Sequence, residues 1–484
     1  MLDNKRFYLQ LLNKEDIEKI HEASLYLLTE VGIKVDDSIL ISMLKDLGCK
    51  ESGELIKINN VFIEKVLSNV KNRDELCFES RTGRKVILKR GQVLSHPFGA
   101  VPHIIDLDSG KKREATLEDQ VNTILLMNKL DQIDMPGPML YTSDVPPYIN
   151  QYKMVEYILR YSEKPVLGPG ISSPIEAKYI IELIKVFADA FALPMNKVMS
   201  LAVSPESPLY FPQKITDTIK IITSAGIPTI MLPCPTSGLT APLTLAGGLA
   251  QMNAVMLAFA VIAYLINPQT PLIYGARLNF ANMKNCHVTL GMPEMGLSGA
   301  CSAQLAAFYG FPSDVYGLSS TSCTFDSQSG YEKAINGMLP VLAGANLVSG
   351  LGSVASATVA SYEQLVIDNE IFSILRKVAK GFVVNEDTLA LDIITDATLE
   401  KGNYLQQEHT VRHLRGGEIF IPKLGFDALW DDWESIGERD IRMRAQEYAR
   451  NVISESDAIP LANEIEKEIE KITESALKEL ESKN

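Results

Sequence analysis

Clusters of basic residues are missing from this 484-residue sequence. Acidic residues outnumber basic ones by 60 to 46, and the formal net charge is −14. The longest basic run is Lys111–Arg113. Because contacts with nucleic-acid phosphates need clustered Lys and Arg, the composition argues against a nucleic-acid-binding protein.

Paired cysteines and nucleotide-binding loops are missing as well. None of the six cysteines forms a C-x-x-C pair, which excludes a zinc ribbon or a thioredoxin-like motif. Cys234, Cys323 and His287 are a conceivable zinc set, but no local spacing supports it. There is no P-loop, and Gly350-Leu351-Gly352 alone is a weak phosphate signal. We therefore expect no metal and no cofactor bound to this chain.

The beginning of the chain has no long apolar run followed by a small-residue cleavage site, so no signal peptide is predicted. Cysteines without a disulfide framework fit a reducing compartment, and the predicted location is cytoplasmic.

Charge is also absent from Ile221 to Ala276. Within this stretch Leu239–Ile266 is long enough to cross a membrane, but it contains Pro242, Gly247 and Gln251. We favour a helix buried inside a soluble protein or in a subunit interface over a membrane span. A subunit interface would make the protein a homo-oligomer.

What is present is a regular alternation between residues 91 and 380 of short apolar runs with helical segments. Eight such units predict an α/β fold, a (β/α)8 barrel. A doubly wound open sheet is the alternative, disfavoured because no glycine-rich dinucleotide turn follows an early strand. The predicted strands are Val93–Phe98, Ile133–Tyr141, Pro165–Ile171, Val198–Val203, Pro228–Pro233, Pro271–Ala276, Asp314–Leu318 and Ala345–Gly350.

Helical segments flank the predicted barrel. Residues 1–90 are predicted to form an N-terminal helical segment, in which Asp36 or Asp37 and Asn59 or Asn60 can cap helices. Residues 381–484 are predicted to form a C-terminal helical extension whose last helix, Leu461–Leu480, carries one apolar stripe.

Functional groups of a barrel lie just beyond the carboxyl ends of its strands. Here those positions contain few acids, bases or metal ligands but many aromatic residues, an arrangement that suits a cationic apolar ligand held by cation–π attraction. The alternative is that these rings only pack against one another at the mouth of the barrel and bind no ligand. The aromatic residues are Phe98, Tyr141, Tyr210, Phe211, Tyr274 and Tyr316.

Several motifs in a fixed order resemble one known family. The chain is similar to the trimethylamine methyltransferase superfamily, specifically the branch that lacks pyrrolysine and demethylates quaternary amines such as betaines. The matching segments are Ser204-Pro205 with Ser207-Pro208-Leu209, Pro271-Leu272-Ile273-Tyr274-Gly275, Gly291-Met292-Pro293-Glu294, Asp326 to Glu332, Leu342 to Asn346, Gln364 to Glu370, and Glu408-His409-Thr410 with His413.

The resemblance implies a (β/α)8 barrel that passes a methyl group from a quaternary amine to a Co(I) corrinoid held by a separate small protein. The corrinoid supplies the nucleophile, and the amine leaves without needing a proton. The chain then has only to desolvate the cation and aim one methyl group, which agrees with the scarcity of acids and bases.

Two residues receive specific expectations. Arg277 follows a predicted strand and is expected to bind the carboxylate of a betaine, with a structural ion pair as the equally open alternative. The resemblance aligns Ser349 with the pyrrolysine position of other relatives; serine leaves room for a larger betaine, or it merely packs. Pyrrolysine could engage the free lone pair of a tertiary amine, and serine cannot replace that chemistry, so we expect quaternary amines to be used and trimethylamine to be rejected.

The predicted substrate is therefore a betaine, such as proline betaine, carnitine, γ-butyrobetaine or glycine betaine. No acid or base is assigned a catalytic role. Two alternatives stay open: a barrel lyase or hydrolase with His96 or His287 as base, and a non-catalytic betaine-binding protein. The predicted substrate-binding residues are Phe98, Tyr141, Tyr274, Arg277, Tyr316, Ser349 and Gly350.

Overall fold

Seven parallel strands surround a central apolar core, each followed by at least one helix. This computed structural model describes residues 9–71, 75–399 and 402–483. The signal-peptide prediction rests partly on residues 1–8, which lie outside these ranges. The strands are β1 (Leu94–Pro97), β2 (Val166–Gly170), β3 (Met199–Val203), β4 (Thr229–Met231), β5 (Leu272–Ala276), β6 (Ser313–Tyr316) and β7 (Leu347–Leu351), and they neighbour each other in the order β1-β7-β6-β5-β4-β3-β2.

The helices of the barrel alternate with its strands, as the sequence pattern predicted. Side-chain caps explain several of the starting points: Thr116 and Asp119 form a capping box at α1, and Ser173 caps α3. The helices are α1 (Leu117–Lys129), α2 (Asn150–Tyr161), α3 (Pro174–Ala190), α4 (Gln213–Ser224), α5 (Leu245–Ile266), α6 (Pro293–Tyr309), α7 (Ser327–Leu342) and α8 (Tyr362–Lys380).

The eighth barrel position is irregular. Residues 134–140, which we predicted as part of a strand over Ile133–Tyr141, lie between β1 and β2 without forming one. Met135 N–H donates to the carbonyl of Ser95 (3.2 Å), and Leu167 N–H donates to the carbonyl of Pro136 (3.0 Å). Pro136 and Pro138 have no N–H, so a regular ladder cannot form, although the segment still closes the barrel.

The lower end of the barrel is plugged. A hairpin of Leu76–Glu79 and Lys85–Leu88 places Phe78 and Leu88 against the side chains that line the barrel axis. Both residues are almost fully buried. The axis is therefore closed at the amino ends of the strands, and access is left from the carboxyl ends. The axial side chains are Leu94, Met135, Leu167, Ala202, Ile230, Ile273 and Leu347.

The apolar helix α5 is a core helix of this barrel. Of its most apolar 18-residue window, 78% is buried inside the protein. Its one buried amide, Asn253, donates to Ser24 and to Tyr309 and accepts from Tyr274, each at 2.8–2.9 Å. The polar group of the helix is thus satisfied within the chain, in agreement with the favoured interpretation of a buried helix.

The segment before the barrel is helical, as predicted, with short strands between its helices. Asp37 caps the second helix and Asn59 bonds the amide of Val61 at the start of the third. The helices are Lys14–Tyr26, Ser38–Asp46 and Asn60–Lys71, and the short strands are Ile33–Val35, Lys50–Ser52 and Leu55–Lys57. Small sheets outside the barrel comprise His103–Ile105, Lys112–Glu114, Tyr210–Phe211, Thr236–Ser237, Asn279–Ala281, Val288–Thr289, Ser353–Val354 and Val359–Ser361.

The extension after α8 returns along the outside of the barrel. Its last helix packs on α3, where Glu479 binds both Lys178 (3.0 Å) and the hydroxyl of Tyr179 (2.7 Å). Buried side chains from residues 1–90, 91–380 and 381–484 belong to one apolar cluster. The helices are Glu386–Leu389, Leu391–Leu399, Glu408–Arg415, Trp430–Ser435, Ile441–Glu455 and Asn463–Glu481.

Candidate active site

A cavity of about 290 Å³ opens at the carboxyl ends of the strands. This volume is at the small end of the usual range for ligand pockets. Every barrel strand except β5 contributes a residue to its wall; Arg277 follows directly after β5, and the irregular segment contributes as well. The lining residues are His96, Pro97, Phe98, Gly99, Ala100, Gly137, Pro138, Leu167, Gly168, Pro169, Gly170, Ala202, Ile230, Leu232, Cys234, Arg277, Asp314, Tyr316 and Ser349.

Three charged or titratable side chains meet in the cavity wall. Asp314 on β6 accepts from Arg277 Nη2 at 2.7 Å and from His96 Nε2 at 2.9 Å, one on each carboxylate oxygen. Arg277 Nη1 also donates to the backbone carbonyls of Ala276 (3.0 Å) and Asp314 (2.8 Å). β5 and β6 are neighbours in register, with Gly275 opposite Asp314, which brings the arginine beside the carboxylate.

Asp314 is ionised at any physiological pH. Burial acts to raise the pKa of its carboxyl, but Arg277 and His96 outweigh this and lower the pKa to about 2. Burial likewise opposes the charge on Arg277, and the Asp314 carboxylate more than compensates, so the pKa of Arg277 lies above its usual value. The pair is therefore a fixed plus-minus dipole in the cavity wall.

Arg277 has hydrogen-bond donors that its described contacts do not use. Its described hydrogen bonds use both Nη1 hydrogens and one Nη2 hydrogen. Nε–H takes no part in these bonds, and it belongs to the side-on edge of the guanidinium, the edge that can grip a carboxylate. Within the described contacts Nε–H has no protein acceptor.

Two aromatic rings continue the wall above Arg277. The guanidinium carbon lies 4.7 Å from the centroid of the Tyr316 ring, and Tyr316 in turn stacks on Phe98 at 5.7 Å with an 8° interplanar angle. Tyr316 is buried, and the burial raises the pKa of its hydroxyl above the usual range. Phe98 is half-buried, so the outer ring of this three-layer stack is partly open.

Ser349 lies in the cavity wall beside this stack. It is directly opposite Tyr316 in the pairing of β6 and β7, and its hydroxyl donates to the carbonyl of Val315 at 3.2 Å. Its exposed fraction is 2%. The next residue, Gly350, has φ of +115°, and a Cβ there would lie 2.7 Å from the backbone of Leu318. Gly350 thus shapes the strand without lining the cavity.

Four of the seven predicted binding residues line the cavity: Phe98, Arg277, Tyr316 and Ser349. Besides Gly350, the prediction misplaced two tyrosines. Tyr274 faces outward from β5, where its hydroxyl donates to Asn253 (2.9 Å), because alternate residues of a strand point to opposite sides. The Tyr141 hydroxyl bonds the carbonyl of Pro147 (3.4 Å), outside the cavity.

Sequence reasoning missed Asp314 and gave no binding role to His96 or Cys234. An aspartate inside an apolar run is the one available signal for Asp314, since a buried charge needs a partner. Cys234 borders the cavity, and burial raises the pKa of its thiol. The conceivable zinc partners Cys323 and His287 are exposed and lie outside the cavity lining.

Barrel, plug and cavity together define a (β/α)8-barrel enzyme with a small-molecule cavity at the carboxyl ends of its strands. A family model described as trimethylamine methyltransferase (MTTB) matches residues 1–480, and the chain belongs to this family. It is a methyltransferase of the corrinoid-linked kind.

The similar proteins include enzymes named for a tertiary amine and enzymes named for quaternary amines. A trimethylamine methyltransferase of Desulfitobacterium hafniense is 27% identical over 97% of this chain and 94% of its own. A glycine betaine methyltransferase from another strain of that species is 29% identical over 87% and 88%. A proline betaine:corrinoid methyltransferase of Eubacterium limosum is 28% identical over 89% and 92%.

Among solved structures, monomethylamine methyltransferase of Methanosarcina barkeri has the same fold. Its TM-score is 0.51 at 15% identity, over 95% of this chain and 90% of that chain. The likeness confirms the predicted (β/α)8 barrel and carries no information on the substrate.

Proposed function

We propose that this protein transfers a methyl group from a quaternary amine of betaine type to the Co(I) corrinoid of a separate protein. The observation that carries the proposal is the cavity wall in which a paired Asp314 holds Arg277 while Arg277 Nε–H makes no described protein contact, below the Phe98–Tyr316 stack. This wall offers one site for a carboxylate and one for a cation.

The carboxylate of a betaine would bind the Nε–H edge of Arg277. Asp314 and two backbone carbonyls fix the guanidinium, so little side-chain freedom is lost on binding. The quaternary nitrogen would rest against the open side of Phe98, where an aromatic face attracts a desolvated cation by roughly 0.5–2 kcal/mol. The paired Asp314 supplies negative charge nearby without needing a proton.

The corrinoid protein would approach from the open end of the barrel. The rim there includes the exposed small residues Gly99, Ala100 and Gly170, which leave space for a flat ring system to come close to the cavity. At the lower end, Phe78 and Leu88 of the plug close the barrel axis. The corrinoid would supply a nucleophile that takes the methyl group as a cation equivalent.

The chain's own residues would orient the amine and exclude water. The breaking carbon–nitrogen bond leaves its electron pair on nitrogen, and the product is a neutral tertiary amine. No proton is moved, so no residue needs to act as acid or base. Desolvation at the cavity wall raises the pKa of the Cys234 thiol, which favours its neutral form over a competing thiolate nucleophile.

The distinction between quaternary and tertiary amines rests on residue 349. Ser349 lies in the cavity wall, and its hydroxyl is already bonded to the carbonyl of Val315. The family resemblance aligns this residue with the pyrrolysine of other relatives. Serine cannot capture a nitrogen lone pair. We therefore favour betaines over trimethylamine, with the larger betaines fitting the volume that serine leaves.

One observation favours a second candidate, a lyase or hydrolase with His96 as base. Asp314 orients the imidazole through Nε2 (2.9 Å), the arrangement used to prepare a histidine for proton abstraction. Here Arg277 binds the same Asp314 carboxylate, and with His96 it lowers the pKa of that carboxyl to about 2. The carboxylate therefore stabilises a protonated imidazole less strongly than it would without Arg277. His287 lies outside the cavity lining and is therefore no longer a candidate for the base.

A corrinoid-dependence assay separates the candidates. Wild type is incubated with each betaine, with and without a reduced corrinoid protein of this enzyme class, while corrinoid absorbance and tertiary amine are followed. If the protein transfers a methyl group, tertiary amine is released only when corrinoid is present. The amount of amine released then equals the amount of corrinoid methylated. Product formed without corrinoid would favour the lyase or hydrolase, and binding without any product would favour a betaine-binding protein.

Cytoplasmic location and a homo-oligomeric state remain proposals. The six cysteines are free thiols, as a reducing compartment requires. Burial of α5 within the chain removes the original reason for an interface, but the extension exposes Leu405, Leu429 and Trp430, which supports one elsewhere.

A further inference from the structure

Two histidines and an aspartate cluster in the C-terminal extension, away from the cavity. One nitrogen of His409, one nitrogen of His413 and a carboxylate oxygen of Asp387 lie within 4.8 Å of one another. His413 Nε2 lies 3.2 Å from Asp387 Oδ2, and His409 Nε2 lies 3.0 Å from the backbone oxygen of Asp387. The proposed methyl transfer uses none of these groups.

Helical spacing creates this cluster. His409 and His413 are four residues apart on the helix Glu408–Arg415, so their rings lie on one face, with centroids 4.1 Å apart. Asp387 belongs to the separate short helix Glu386–Leu389. Two elements more than 20 residues apart thus direct their ligand atoms to one point.

The geometry points to a divalent transition-metal site, with zinc as its occupant, formed by His409, His413 and Asp387. Two imidazole nitrogens and one carboxylate oxygen are a common zinc donor set, whereas magnesium and calcium prefer oxygen alone. Water or the Asp387 backbone oxygen would complete four-coordination. This inference is independent of the proposed function and replaces the expectation, drawn from the sequence, of a chain without metal.

Arg412 orients the carboxylate of Asp387 through two hydrogen bonds. It donates from Nη1 to Oδ2 (2.9 Å) and from Nη2 to Oδ1 (2.5 Å). The carboxylate is therefore held in position. An arginine on a ligating carboxylate acts as an outer partner that orients the ligand, although its charge opposes that of the metal.

The metal would fix the extension locally. Within the described part of this region, the helices Glu386–Leu389 and Glu408–Arg415 bury no side chain fully. A cross-link through His409, His413 and Asp387 would supply the stability that packing does not. Zinc would act as a structural tie that holds the two helices together.

The test measures metal content and local protection in the full-length protein. Wild type is purified without a histidine tag, stripped with chelator and titrated with zinc, and hydrogen exchange of residues 386–415 is followed. We expect about one zinc per chain and slower exchange on binding. His409→Ala and His413→Ala should bind at least about 100-fold more weakly, since even outer partners of a ligand are worth 10- to 100-fold.

His287→Ala is the matched control, because it removes an exposed histidine outside the cluster. It should bind zinc as wild type does. Circular dichroism verifies that each variant is folded, and cobalt(II) absorption reports tetrahedral ligation as a second measurement. No zinc binding by wild type, or equal binding by wild type and both cluster variants, would overturn the proposal.

Discussion

Two buried ion pairs in this barrel look alike but have different surroundings. Arg277–Asp314 borders the cavity, whereas Lys333–Asp368 is enclosed between α7, α8 and the loops after β6 and β7. Both side chains of the enclosed pair are 0% exposed. The comparison separates a charge pair that builds a site from one that builds the scaffold.

The enclosed pair makes several further hydrogen bonds to the protein. Lys333 donates to Asp368 and to the carbonyl of Leu318, both at 2.8 Å, and Asp368 also accepts from Gly352 N–H (2.7 Å) and Gln364 (2.8 Å). It ties together the two loops that follow β6 and β7. Arg277 instead keeps Nε–H without a described protein acceptor, and that donor is what makes its pair available to a ligand.

Breaking the enclosed pair should give the largest effect on the protein. Lys333→Met leaves Asp368 buried without its cation, and we expect the free energy of unfolding to fall by about 3–5 kcal/mol. Urea unfolding measures this loss. Lys333→Met combined with Asp368→Leu should recover part of it, because no unpaired charge remains. A loss below 1 kcal/mol for the single variant would show that the pair is not a scaffold element.

Breaking the cavity pair should affect binding more than stability. For Arg277→Ala we expect the half-saturating concentration of a carboxylated betaine to rise about 100-fold, since loss of one partner from a buried charge pair costs roughly 2–5 kcal/mol. Stability should fall less than in Lys333→Met, because His96 still binds Asp314.

Choline and tetramethylammonium are the controls for Arg277→Ala, because they carry the cation without a carboxylate. Their use should change little. Equal losses on all substrates would assign Arg277 to the same structural role as Lys333 and remove it from the binding site.

Filling the space beside Ser349 should have an intermediate effect. Ser349→Phe and Ser349→Leu add volume to the cavity wall, and overpacking costs typically 1–3 kcal/mol, or about tenfold in use of the native betaine. Ser349→Ala should stay within about threefold of wild type, since its hydroxyl bonds Val315. Melting temperatures of the same variants distinguish a pocket residue from a packing residue, whose bulky variants would lose stability and keep substrate use.

Replacing the cavity thiol should have the smallest effect. Burial raises the pKa of Cys234, so the thiol is protonated at neutral pH and takes no methyl group. Cys234→Ser should keep its turnover number within about twofold of wild type. A loss of more than tenfold with unchanged substrate affinity would mean that the thiol takes part in the reaction.

The barrel was predictable because its signals are local. Apolar runs, turn residues and caps such as Ser173 determine each β/α unit, and they placed seven of the eight strands to within a few residues. The eighth position failed for a local reason too: Pro136 and Pro138 remove the donors that a strand needs, while the apolar pattern that predicted one is still present.

The site was less predictable because it depends on contacts between strands. The sequence places Arg277 and Tyr316 at strand ends, but only the pairing of β5 with β6 brings both beside Asp314. Tyr274 was misassigned because position within a strand decides the face, and a one-residue difference reverses it. The histidines of the extension were noticed only as a family motif, since Asp387 lies far away in sequence.

The most direct test of the central claim compares a quaternary with a tertiary amine at the same cavity. Wild type and a reduced corrinoid protein are given proline betaine, glycine betaine or trimethylamine, and the initial rate of methyl transfer is measured from the corrinoid absorbance. We expect transfer from at least one betaine and none above background from trimethylamine. Robust transfer from trimethylamine would contradict it.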